Sequence, residues 1–140
     1  MQWDADRAVI ADFDCDGRRD HAFLGRASGK VFVGLVHSPV PKAQILEFAV
    51  DASQQAAICA EPAKLEVESL DYDPTEAVGK IAGFRRSRTC RGIQLSGGQC
   101  DPVHVFWNQL TKHFGWWGVT FDFSHGLLGT NTGPSALCTR

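Results

Sequence analysis

The sequence predicts a mainly β fold: an antiparallel sheet of hairpins and meanders, a blade-like N-terminal hairpin that carries a cation loop, and little helix. Three observations predict it. Short apolar runs recur along the chain and are separated by clusters of Gly, Pro, Asp and Ser, the residues that make turns. The run KLEVESL at 64–70 alternates apolar and charged residues with a period of two, as a half-exposed strand does. Three further runs in the second half follow one another through short turns, the pattern of an antiparallel meander.

The elements follow in order. VIADF (9–13), HAFLGR (21–26) and KVFVGLVH (30–37) read as strands. An aspartate-rich loop separates the first two, and RASGK, whose Gly29 suits a tight hairpin, separates the second two. QILEFAV (44–50) follows the breaker SPVPK and reads as another strand. In DASQQAAICA (51–60) the alanines and glutamines favour helix, but the periodicity of one is missing. KLEVESL is followed by the loop DYDPTEAVGK (71–80). RGIQLSGG (91–98) leads through QCDP into VHVFWN (103–108), and the turn QLTK returns the chain into HFGWW (113–117). Residues 1–117 read as a single β-rich domain. Residues 118–140, rich in Gly, Ser and Thr, read as an irregular tail.

Composition bounds the function. With 140 residues, 44% of them hydrophobic and 21% charged, the chain can bury a core of its own. A net charge of −2 gives no electrostatic reason to expect nucleic acid or an anionic membrane as partner. No apolar run approaches the roughly 20 residues that span a bilayer. The N-terminal MQWDADRAV has neither the basic nor the apolar region of a signal peptide. It fits either a cytoplasmic protein or a mature chain after export. The five cysteines, Cys15, Cys59, Cys90, Cys100 and Cys138, lack C-x-x-C spacing. Scattered cysteines in a small β-rich domain favour disulfides, and with them a periplasmic or secreted location.

The stretch DFDCDGRRD (12–20) concentrates four aspartates in nine residues. Calcium takes about six to eight oxygen ligands, and carboxylates at alternate positions of a tight loop supply several of them. Asp12, Asp14 and Asp16 occupy loop positions one, three and five, and Gly17 permits a sharp turn at six. The Arg18 carbonyl takes position seven and Asp20 position nine. Position twelve is Phe23 rather than glutamate, and the flank downstream reads as a strand, so the loop is not an EF-hand. The alternative is an empty, solvated acidic turn. Four close carboxylates repel one another without a cation, which favours a bound ion, here assigned as Ca²⁺.

The loop resembles the D-x-D-G-D-G-x-x-D calcium loop of FG-GAP and VCBS-type repeats, found in extracellular and periplasmic β proteins. The match runs through Asp12, Asp14, Asp16, Gly17 and Asp20, and Cys15 stands where that family has glycine. HAFLGRASGKVFVGL is similar to the family's strand–turn–strand continuation, so the resemblance covers about residues 9–37. Further on, SLDYDPTEAVG and GFRRSRTCRGIQLSGGQCDPVHVFWN resemble a family of small exported proteobacterial proteins. That resemblance implies an exported location and a Cys59–Cys90 bridge. Cys90–Cys100, which would close a hairpin-sized loop, is the competing pair, Cys100–Cys138 is a further possibility, and Cys15 is the candidate free thiol or a buried small hydrophobe.

Two features point to binding. Arg85, Arg86, Arg88 and Arg91 lie within seven residues, and guanidinium forks recognise carboxylates and phosphates. The acidic LDYDPTE either neutralises them within the fold or leaves them to a partner. Trp116 and Trp117 are adjacent on a strand and so point to opposite faces. One is core, and the other is an exposed anchor for a partner or is covered by the tail. Catalytic motifs are missing: no H-E-x-x-H, phosphate loop or nucleophile elbow occurs, and Asp101 and His104 fall on opposite faces of a strand. Three functional classes remain. The first is a non-catalytic calcium-binding periplasmic protein that binds another protein of the bacterial envelope, such as an immunity protein or an inhibitor of a cell-wall-degrading effector. The second is a secreted hydrolase or effector. The third is an adhesive or structural module, against which the single repeat argues.

Overall fold

The computed structural model describes residues 2–37, 42–50, 58–75 and 79–118. Eight strands run in chain order: β1 (Gln2–Ala11), β2 (Asp20–Ala27), β3 (Lys30–Val36), β4 (Ala43–Ala49), β5 (Lys64–Leu70), β6 (Ser87–Ser96), β7 (Val103–Asn108) and β8 (His113–Trp117). They form two four-stranded antiparallel sheets, ordered β1-β2-β3-β4 and β5-β6-β7-β8. Each sheet is a plain meander in which sequence neighbours pair, as the short connections require. The predicted mainly β, antiparallel fold is what the structure shows.

One core joins the two sheets. Ala22, Leu24, Val31, Val33, Leu35, Leu46 and Phe48 of the first sheet cluster with Ile93, Leu95, Val103, Val105 and Phe114 of the second. These are alternate residues along each strand, so each sheet turns one apolar face inward. In β3 the residues between are buried as well, from Val31 to Leu35. Part of their cover is Trp3, which lies across Gly25 and Gly34 on the outer face. A Cβ on those glycines would meet the indole at 2.8 and 3.0 Å. Glycine is required there because the ring rests on the backbone itself.

Strands β5, β7 and β8 coincide with the runs read from the sequence. The first strand is longer than predicted and ends before Phe13. Its register breaks between Asp4 and Val9, and that bulge hides the alternation a strand would otherwise display. Strand β6 begins at Ser87 and so takes in Arg88. Of the ambiguous segment 51–60 only the end is described, where Ile58 is buried and bridges to Val50. Residues 119–140, which hold nearly all of the predicted tail and Cys138, lie outside the described residues.

The cysteine pairing differs from the expected Cys59–Cys90 bridge. Cys15 is bonded to Cys90, with Cα atoms 5.0 Å apart, and Cys59 to Cys100, with Cα atoms 5.8 Å apart. The reason is the length of β6. Cys59 docks beside Gly97, its N–H donating to the Gly97 carbonyl at 3.1 Å. Cys90 lies seven residues back along an extended chain, roughly 23 Å away at about 3.3 Å per residue. A disulfide spans a Cα separation of about 4.4–6.8 Å. The same length excludes Cys90–Cys100, and Cys15 is not a free thiol. Two disulfides fit an oxidising compartment.

Candidate metal centre

The aspartate loop leaves the core at Phe13, which is buried, and returns to it at Asp20, the first residue of β2. Asp20 is 1% exposed, and one of its oxygens accepts the N–H groups of Phe13 at 2.9 Å and Asp14 at 3.1 Å. That carboxylate therefore folds the loop back on itself. Asp12 accepts from Asp16 N–H at 3.2 Å on one oxygen and from Gly17 N–H at 2.9 Å on the other. Asp14 Oδ1 also accepts from Asp16 N–H, at 3.2 Å, and Asp16 Oδ1 accepts from Arg18 N–H at 2.8 Å. Gly17 has φ 86°, the left-handed conformation that its place in the turn required. Cys15, with φ 65°, shares that region, which non-glycine residues seldom occupy.

The carboxylates of Asp12, Asp14, Asp16 and Asp20 each offer an oxygen within 4.8 Å of the others, so this cluster could hold a metal ion. At that spacing two full charges repel by about 3 kcal/mol at an effective dielectric near 20, less where water screens the exposed Asp16. Burial, a hydrogen bond with Asp16 and the charge of Asp20 push the Asp14 carboxyl up to about 6, with His37 opposing them. Asp16 pays a desolvation penalty, yet the Arg18 N–H, Asp14, and the charges of Arg18 and His37 hold it below the usual carboxylate range. Of the five predicted ligands, the structure brings the four aspartates together. For Arg18 it shows the N–H bonded to Asp16.

His37 also belongs to this centre, and the sequence reading passed over it. Its Nδ1 lies 2.8 Å from Asp14 Oδ2, and it forms a second group with Asp14 and Asp20. The signal was present in the hairpin. A two-residue turn at Ser28-Gly29 sets the pairing Ala27↔Lys30 and, further up, His21↔Val36, so the next step brings His37 level with Asp20. The ring is held on the core side by Phe114, stacked at 5.5 Å, and by Trp107, edge-on at 5.5 Å. Among the described residues the loop is thus joined to the second sheet through His37, through Cys15–Cys90, and through the Arg91 N–H, which donates to the Asp12 carbonyl at 2.9 Å.

The predicted partner-binding residues lie on or just before strands β6 and β8 of the second sheet. Arg86 Nε donates to Asp71 Oδ1 at 2.7 Å, and Arg88 Nε lies 3.6 Å from Asp71 Oδ2. Arg86 and Arg88 are thus paired with Asp71 at the surface, and Arg86 foremost holds Asp71 below the usual carboxylate range. Arg85 is exposed. Trp116 and Trp117 do point to opposite faces, and both are half-buried. Trp116 packs edge-on against Phe48 in the main core. Trp117 stacks on His104 at 4.2 Å and donates its Nε1–H to the Tyr72 hydroxyl at 3.2 Å. It borders a second cluster of Leu70, Cys90, Phe106, Tyr72, Ile81 and Phe84 on the outer face of the second sheet. Among the described residues the large exposed apolar side chains are Trp3, Ile10, Ile45, Val67 and Leu110. Trp3, Ile10 and Ile45 are 39%, 49% and 54% exposed and share the outer face of the first sheet with Phe23, Val36 and Ala43.

One acid–base pair was not foreseen. His104 Nδ1 lies 3.0 Å from Glu68 Oε2, with both side chains largely buried. Among the described residues no serine or cysteine side chain bonds to this histidine. Comparison of the chain with protein-family models, with curated proteins and with solved structures finds no match.

Proposed function

We propose that this chain is a non-catalytic calcium-binding protein of the periplasm or extracellular space, that its ion is structural, and that its task is to bind another protein of the bacterial envelope. The observation that carries the calcium is the convergence of Asp12, Asp14, Asp16 and Asp20 in a loop joined to the opposite sheet by a disulfide. Hard carboxylate oxygens in an irregular loop suit calcium better than the smaller, stricter magnesium. The likeness of the loop to FG-GAP calcium loops supports the same choice. Calorimetric titration of chelated protein is expected to show one calcium site, lost in Asp14→Ala. Absence of heat and of any rise in melting temperature at millimolar calcium rejects it.

The surface that supports protein binding is the outer face of the first sheet, where Trp3, Ile10 and Ile45 stand exposed around Phe23. Contiguous exposed apolar surface on a soluble domain marks an interaction site. An immunity protein or inhibitor acting on a cell-wall-degrading effector fits this class, with apolar anchors from this face. The test is periplasmic co-expression with a peptidoglycan-degrading effector encoded beside this protein. Rescue by wild type and loss of rescue by folded Ile45→Glu support the reading. The His104–Glu68 pair favours one alternative, a secreted hydrolase. Peptidoglycan hydrolysis by the purified protein alone, abolished by His104→Ala, would establish that alternative.

A further inference from the structure

Cys15 stands between Asp14 and Asp16 in the middle of the carboxylate loop, and its sulfur is bonded to Cys90 of β6. We propose that this bridge is a redox strap: oxidised, it holds the loop against the second sheet with its carboxylates gathered for a cation; opened by a dithiol reductant, it lets the loop move away and cation affinity falls. The cation half of this proposal rests on the calcium reading given above.

Three features of the loop carry the argument. The loop holds mutually repelling carboxylates. Its backbone at Cys15 takes φ 65°, a conformation that a non-glycine residue keeps only when its surroundings impose it. Among the described residues, two further ties to the second sheet are the Arg91–Asp12 backbone bond and the contact of Asp14 with His37, whose ring packs on Phe114 and Trp107, and neither is covalent. The second bridge, Cys59–Cys100, sits at the far end of β6 and secures another part of the molecule. The reduction is an ordinary exchange. A thiolate of the dithiol attacks the half-buried Cys15 sulfur, and Cys90, which is 1% exposed, leaves as thiolate. The second thiol of the reductant then displaces Cys15 and closes its own disulfide, so two electrons pass to the protein and both cysteines end as thiols. Linkage makes the coupling reciprocal: if reduction weakens calcium binding, calcium protects the bridge by the same factor.

The experiment compares the wild type with a Cys15→Ser/Cys90→Ser variant that keeps Cys59–Cys100. Calcium affinity is expected to fall at least tenfold in the variant. In calcium-free samples the Phe13 and Asp14 amides, bonded to Asp20, are expected to exchange hydrogen faster, while the β3 amides keep their protection. Equal affinity and equal loop protection in the folded variant overturn the proposal. If oxidised wild type binds no calcium, the calcium reading fails on its own and the amide exchange alone decides the strap: faster exchange upholds loop release and unchanged exchange overturns it. If the variant loses β3 protection, the same amides are followed in wild type during graded dithiothreitol reduction, and loop protection that survives opening of Cys15–Cys90 overturns the proposal.

Discussion

The side-chain amide of Gln44 gives Phe114 both of the hydrogen bonds that a neighbouring strand would offer: its Nε2 donates to the Phe114 carbonyl at 2.9 Å, and its Oε1 accepts from the Phe114 N–H at 2.8 Å. β4 and β8 are the outermost strands of their sheets, so one side chain joins two edges and pairs backbone groups of β8 that face away from β7. The join lies close to the acidic loop. The ring of Phe114 stacks under His37, and His37 contacts Asp14. One short chain of contacts thus runs from the join between the sheets to the carboxylate cluster.

Replacing Gln44 by Ala leaves the Phe114 N–H and C=O without these partners beside a buried ring. An unsatisfied polar pair of this kind is expected to lower stability by about 1–3 kcal/mol. Gln44→Glu keeps the acceptor for the N–H and removes the donor to the carbonyl, so it is expected to fall between wild type and Gln44→Ala. Urea unfolding of the three proteins orders them, and an unchanged midpoint in Gln44→Ala would show that the join carries no energy.

Asp20 provides a second test, because its carboxylate is buried and accepts two backbone N–H groups. Asp20→Ala removes both charge-assisted bonds and is expected to destabilise the protein by about 2–4 kcal/mol. Asp20→Asn retains one acceptor oxygen at the same place. It is expected to recover more than half of that loss while weakening the response to calcium. Chelated and calcium-loaded thermal melts separate the two effects. Equal destabilisation by Ala and Asn would place the role of Asp20 in its charge rather than in its hydrogen bonds.

The extent to which this was legible in the sequence follows from local and non-local chemistry. Strands β5, β7 and β8 were readable because period-two patterning and short turns are local. The four aspartates were readable as one cluster because a tight loop brings alternate residues together whatever the rest of the chain does. The front half of β1 was not, because the Asp4–Val9 bulge breaks its alternation. The cysteine pairs were not, because pairing depends on which ends of the two sheets meet, and nothing near Cys15 in the sequence names Cys90. The covering of Trp117 has the same origin: Tyr72, 45 residues away, supplies its hydrogen-bond partner.

Gly83 and Asn108 form a third testable pair. Gly83 has φ 86°, and a Cβ there would collide with the Asn108 carboxamide. Asn108 is 6% exposed, donates to the Ala82 carbonyl at 3.0 Å and accepts from the Leu110 and Thr111 N–H groups at 2.9 and 3.1 Å. That one side chain builds the β7–β8 turn and fastens the loop before β6 to it. Gly83→Ala combines a left-handed backbone, roughly 1–2 kcal/mol for an L-residue, with displacement of this amide. It is expected to destabilise the protein by about 3 kcal/mol or more. Gly79→Ala, with φ 82° and open space around the position, is expected to carry only the backbone part. Similar losses for the two variants would show that Asn108 gives way without penalty.

The pH dependence of stability tests the loop without its cation. The Asp14 carboxyl is raised from 3.8 to about 6 in the folded protein, first by burial and then by its acidic neighbours. Between these values the native state holds a proton that the unfolded chain has released. Where the native state binds more protons, stability falls as pH rises. Chelated protein is therefore expected to lose stability from about pH 4 to about pH 6 and to level off above. Asp16, Asp71 and Asp73 are shifted the other way, so their contribution changes only below the ordinary carboxylate value and leaves this window clear. A bound cation takes the place of the proton. Calcium affinity is then expected to climb over the same interval, with proton release on binding that vanishes well above pH 6. Asp14→Asn is expected to flatten the slope of the chelated protein. Urea midpoints measured from pH 4 to 8 in chelator, for wild type and Asp14→Asn, decide the matter. A wild-type midpoint that rises across this window relative to the variant would mean that Asp14 is stabilised as the carboxylate, and that the loop is not strained by its own charge.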